Sequence, residues 1–176
     1  VFDLNSVDLI RLTHSFLNAG VDFGGRPLSR EGDPRTHFTI GTGFEPESLD
    51  RDEEIEKLKR KIDAGAEYIM TQPVFRPNAL NLLEKFRGRV WILPGVMVLH
   101  GLEHARRIAE VPGVVIPESV FRRFERFASR QDQVKAGIDL AAEQIQEIRR
   151  FGWDGLYLMS PASSKGALEA LAAAAG

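Results

Sequence analysis

Apolar residues recur at helical spacing over Ser6 to Asn18, where Leu9, Ile10, Leu12, Thr13, Phe16 and Leu17 form one broad face. Gly20 follows its end, and residues 21–34, rich in glycine and proline, read as a loop. HFTIGT at 37–42 alternates as a strand does, and 43–48, with Pro46 inside, is a connection. From Asp50 to Ala64 the helical pattern returns, with Ile55, Leu58 and Ile62 as its buried stripe. Its first turn is acidic (Asp50, Asp52, Glu53, Glu54) and its last is basic (Lys59, Arg60, Lys61), the order a helix dipole favours. Gly65 breaks that helix. Glu67–Gln72 is strand-like, and Pro73 is expected to stop its ladder. A helix over Pro77–Phe86 follows, then the apolar strand Val90–Val96, a pattern suited to burial on both faces.

Helix Leu102–Glu110 comes next. Pro117 opens another helix at its first position, running to about Ala128 with Val120, Phe121, Phe124 and Phe127 inward. Gln131–Phe151 is a long helix with Ile138, Ala141, Ala142, Ile145 and Ile148 inward; strand Gly155–Met159 and helix Ser164–Ala174 complete the order. Four strands alternating with helices predict an α/β fold with parallel strands. A right-handed half-barrel and a small open sheet both satisfy the pattern. A complete eight-stranded barrel takes about 250 residues, more than the 176 present.

Composition narrows the function classes. Apolar residues make up 43% of the chain, enough for a core, and a net charge of −2 gives no field favouring nucleic acid or an anionic membrane. No apolar run approaches the ~20 residues of a membrane span, and the N-terminus shows no secretory signal. The absence of cysteine excludes disulfides, thiolate ligands and a cysteine nucleophile, and suits a cytoplasmic protein. His14, His37, His100 and His104 make no metal set and read as surface or capping residues. Gly41-Thr42-Gly43 follows a strand but lacks the third glycine of a dinucleotide fingerprint.

The candidate chemistry lies in Leu58–Phe75, LKRKIDAGAEYIMTQPVF. Thr71 and Gln72 fall where a strand runs out, and the C-terminal ends of parallel strands are where α/β barrels carry their chemistry. At ~100° per residue, Lys61 lies on the flank of the Ile55–Leu58–Ile62 stripe, and Arg60 points nearly opposite, into solvent. A basic last turn explains both by itself. Ser6 precedes a helix, and N-capping suffices as a reason for it.

That stretch resembles the methylenetetrahydrofolate reductase family, as do VFDLNSVDLIRL, FTIGTGFEP and EVPGVVIPESV. The resemblance implies the C-terminal portion of a TIM-type (β/α)8 barrel, with residues 1–176 as a partial barrel domain lacking the first strands, so a piece of a longer chain is expected. It implies reduction of 5,10-methylenetetrahydrofolate to 5-methyltetrahydrofolate with FAD as cofactor and NADH or NADPH as co-substrate. By the same resemblance Gln72 and Leu102 would contact the folate, and Lys61, Arg60 and Ser6 the flavin. A glutamine amide, at once donor and acceptor, suits a pterin edge. No catalytic residue is assigned, because the family's glutamate–phenylalanine–proline strand is absent from this sequence.

Several positions depart from the family pattern. Glu45 stands beside Pro46 where an asparagine or histidine is usual, Glu54 and Lys57 replace an acidic and an amide residue, and Val98-Leu99-His100 replaces leucine–proline–leucine. The run Ser160 to Lys165 lacks an arginine, which Lys165 replaces only as a point charge. The opening segment with LNAGVDFGG is similar to reductase modules fused to a homocysteine methyltransferase. Expected partners are therefore the folate, the remaining half of the barrel, and a second copy or a fused methyltransferase domain. The alternative is a non-catalytic or degenerate barrel segment acting in assembly or protein interaction.

Overall fold

A computed structural model describes residues 3–160 and 164–175. Strands β1 (Gly41–Phe44), β2 (Tyr68–Pro73), β3 (Trp91–Met97) and β4 (Tyr157–Met159) lie side by side in chain order, each pair parallel. Helix α1 (Ser6–Leu12) runs into a π-helical turn over Thr13–Leu17. Helix α2 (Arg51–Asp63) joins β1 to β2, and a 3₁₀ helix (Pro77–Phe86) joins β2 to β3. Helices α3 (Leu102–Ala109), α4 (Glu118–Glu125) and α5 (Arg130–Arg150) precede β4, and α6 (Ser164–Ala175) follows it. This is the α/β succession of consecutive barrel units.

The pleat sends alternate residues to opposite faces. Phe44, Ile69, Ile92 and Val96 face the helices and pack with Leu58, Leu83, Phe86 and Ile145 in the main core. Met97, Phe75 and Leu99 join Ala105, Val120 and Phe124 of α3 and α4 in a second cluster. The other face carries Tyr68 and Met70, Trp91 and Leu93, and Tyr157 and Met159. Trp91 and Tyr157 on it are 63% and 41% exposed, and the other four are half-buried.

Four local expectations are corrected. The strand expected over 37–42 begins only at Gly41, because the Asn18 side chain accepts from the Phe38 N–H and donates to the Phe38 carbonyl, both at 2.9 Å. A side chain thus does there what a neighbouring strand would do. Pro73 does end the ladder, as expected, standing as the last residue of β2 opposite Gly95. Pro117 stands at the N-cap of α4 rather than inside it, and Phe127, beyond the end of α4 at Glu125, is exposed rather than inward. Residues 77–86 wind as a 3₁₀ helix, whose three residues per turn align the buried Leu80, Leu83 and Phe86.

Candidate substrate site at the strand mouths

Met70 lies opposite Leu93 and Pro73 opposite Gly95, so β2 carries one residue more than β3 over this stretch. The result is a bulge, a device that re-aims a side chain at the end of a strand. Thr71 holds it. Its buried hydroxyl accepts from the Gly95 N–H at 2.8 Å and donates to the Gln72 carbonyl at 2.8 Å. Gly95 is required here, since a Cβ would lie 2.5 Å from the Thr71 carbonyl oxygen. Gln72 is left half-buried at the C-terminal mouth, and its side-chain amide makes no hydrogen bond to another described residue.

Helix α2 supports the neighbouring mouth. Lys61 is buried, on the flank its spacing predicts, and its Nζ donates to the Gly43 carbonyl at 3.0 Å. Burial lowers its pKa, and Lys57 adds to the effect while Glu54 and Glu45 oppose it. The Glu54 carboxylate accepts from the Glu45 N–H at 3.1 Å. Two side chains of one helix thus clamp the backbone where β1 ends. Gly43 itself is bare, with nothing within 4 Å of where a Cβ would stand. Flat, uncrowded backbone of this kind admits a planar ring.

Ser6 and Arg60 lie elsewhere, in an open cleft of about 570 Å³ between α1 and α2. Ser6 is not the cap of α1. Asn5 takes that role, its Oδ1 accepting from the N–H groups of Val7 and Asp8 at 2.9 and 3.0 Å, and Ser6 is the first helical residue. The cations of the cleft are already matched: Arg60 with Glu53 at 2.9 Å, Arg11 with Asp8 at 3.4 Å and Lys57 with Glu54 at 3.9 Å. Asp50 adds a further carboxylate. A dinucleotide's diphosphate would meet this wall with like charge outweighing free cation. The described residues therefore leave room for a planar ring at Gly43 and offer a diphosphate in the α1–α2 cleft no unpaired cation.

Leu102 is the first residue of α3, partly buried against the second core cluster, and its N–H donates to Gln133 Oε1 at 3.0 Å. His104 Nδ1 accepts from the His100 N–H at 3.1 Å, the capping role expected of it. Among the described residues no group of three His, Cys, Asp or Glu is placed to hold a metal. Lys165 lies 3.7 Å from Glu169 on the surface. Val1, Phe2 and Pro161–Ser163, parts of the stretches compared with the family, lie outside the described residues.

Some supporting residues carried no sequence signal. The Glu47 carboxylate, 1% exposed, accepts from Arg76 Nε at 2.7 Å and from Arg51 at 3.3 Å, tying the loop after β1 to the loop after β2. Gln144 of α5 donates to the Val74 carbonyl at 2.8 Å. These partners are 29 and 70 residues apart in sequence, and only the folded register brings them together.

The family model described as "Methylenetetrahydrofolate reductase" matches residues 7–174. Methylenetetrahydrofolate reductase 1 of Schizosaccharomyces pombe is 30% identical over 136 residues, covering 70% of this chain and 23% of that protein. The 5,10-methylenetetrahydrofolate reductase of Salmonella typhimurium is 28% identical over 115 residues, covering 61% of this chain and 38% of that protein. The chain thus matches well under half the length of these relatives. Among solved structures, a Clostridium thermocellum protein described as binding two copies of 5-methyl-5,6,7,8-tetrahydrofolic acid shares the fold. Its TM-score is 0.53 at 15% identity, over 78% of this chain and 52% of that one.

Proposed function

The chain belongs to the methylenetetrahydrofolate reductase family, and from that premise we propose that it forms the C-terminal portion of a reductase barrel. The reaction is reduction of 5,10-methylenetetrahydrofolate to 5-methyltetrahydrofolate, with a hydride from NADH or NADPH and a proton from the medium. In this reading the activity belongs in the cytoplasm, which the cysteine-free composition suits. FAD is the carrier the family implies. Gly43 leaves its ring a bare stretch, and among the described residues the α1–α2 cleft gives its diphosphate no unpaired cation, so no step is assigned through it.

The chain's own contribution is to bind and orient the folate. The observation that carries this is the unengaged Gln72 amide, held out at the mouth of β2 by a bulge that Thr71 and Gly95 fix. An amide with donor and acceptor side by side matches the donor–acceptor edge of a pterin. Lys61, clamped to Gly43, keeps the adjacent mouth in place. Calorimetric titration of 5-methyltetrahydrofolate into the chain tests the reading. Two hydrogen bonds at ~0.5–1.5 kcal/mol each set the scale, so Gln72→Ala should weaken binding roughly five- to a hundredfold. No binding by the unaltered chain, or equal binding by the variant, contradicts it.

A second reading, a segment that serves assembly, is favoured by the open sheet face of Trp91 and Tyr157 and by the exposed Leu9 of α1. Under it, the chain pairs with further barrel strands or with a second copy and binds no folate. The same titration, with the mass in solution, separates the two.

A further inference from the structure

The backbone is pinned on both sides of Gln72. Upstream, the Thr71 hydroxyl joins the Gly95 N–H to the Gln72 carbonyl. Downstream, Pro73 has no N–H to give, so the next backbone donor is that of Val74. Its N–H donates to the Gly95 carbonyl at 3.0 Å, and its carbonyl accepts from Gln144 Nε2 at 2.8 Å. Strand β3 thus holds one side of Val74, and helix α5 holds the other.

Gln144 stands out among its neighbours. Ala141, Ala142, Ile145 and Ile148 on the same helix are buried, apolar and part of the main core. Gln144 is buried with them, 9% exposed, and its Oε1 has no hydrogen-bond partner among the described residues. A buried acceptor without a partner lowers stability. An unbranched apolar side chain of similar length would fill the same space without that cost. What such a side chain lacks is the donor for Val74. We infer that Gln144 is a positioning residue for the folate: from inside the core it fixes Val74, and through Val74 the Gln72 amide that meets the pterin. The inference rests on the folate reading above. Satisfying the Val74 carbonyl would by itself be a structural role; acting through Gln72 is a further property, and it can be measured.

The test is a double-mutant cycle. Calorimetric titration of 5-methyltetrahydrofolate compares the unaltered chain, Gln144→Met, Gln72→Ala and the double variant, each with its urea midpoint. Methionine removes the donor and the unpartnered acceptor together, so two opposed changes meet in its stability and the midpoint should move little. The expected result is that Gln144→Met weakens binding roughly threefold or more when Gln72 is present, and has no effect once Gln72 is alanine. Gln144→Leu, run through the same cycle as a second variant, should behave alike. Binding by Gln144→Met equal to that of the unaltered chain overturns the inference. So does a loss of the same size in both backgrounds, which would mark a general loosening of the core. Failure of the folate reading looks different: the unaltered chain binds no folate, or Gln72→Ala binds it equally well.

Discussion

Thr71→Val removes a hydroxyl from the site while keeping the side chain's shape. In the native chain that hydroxyl is the acceptor for the Gly95 N–H, in a bond with both ends buried. Valine is at least as good a strand former as threonine, so propensity does not oppose the change. What remains is a buried backbone donor without a partner, which costs ~1–3 kcal/mol, and the bulge loses the contact that fixes Gln72. Against a typical total stability of ~5–15 kcal/mol this is a large fraction. Thr71→Ser keeps the hydroxyl and loses one methyl, about 0.8 kcal/mol. Urea denaturation should therefore rank the proteins wild type, serine, valine, with the midpoint moving and the slope m unchanged. Folate binding should weaken in the valine variant and survive in the serine variant. A valine variant as stable as wild type, or one that binds folate equally well, would show that the hydroxyl does not hold the mouth of β2.

Four further substitutions probe the rest of the site. Burial holds the Lys61 pKa below 10.5, so between the folded value and 10.5 the unfolded chain binds more protons and stability rises with pH. Lys61→Met should remove that rise, seen as a smaller gain in urea midpoint between neutral pH and just below 10.5; an unchanged gain contradicts the assignment. Gly41→Ala, whose Cβ would lie 2.2 Å from the Tyr68 ring, should cost ~1–3 kcal/mol, whereas Gly43→Ala, with open space where its Cβ would stand, should fold normally. Equal stability of the two alanine variants would sink that distinction. Glu47→Gln should cost about 1–2 kcal/mol by weakening the charge-assisted bonds to Arg76, a figure discounted for the partly exposed guanidinium; an unchanged thermal midpoint would count against it.

The strand order and most helices were legible because each element announces its own period, and the mouth position of Gln72 follows from a strand that ends at a proline. The start of β1 was not legible, since it depends on Asn18 reaching across 20 residues to Phe38. Between two adjacent good caps, Asn5 and Ser6, local sequence does not choose. Leu80, Leu83 and Phe86 stand three apart, a spacing common to both helix types. The flank position of Lys61 came from helical geometry, but its carbonyl partner did not, because β1 has to lie against α2 first. The bulge, the Thr71 hydroxyl and the Glu47–Arg76 tie all depend on register, which one strand alone does not encode.

The most direct measurement is a crystal structure of the protein carrying these residues with 5-methyltetrahydrofolate bound. The account predicts the pterin edge at the mouth of β2, with the Gln72 amide at about 2.7–3.2 Å from it and the bulge intact. A folate bound away from the strand mouths, or Gln72 turned from the ligand, would contradict it.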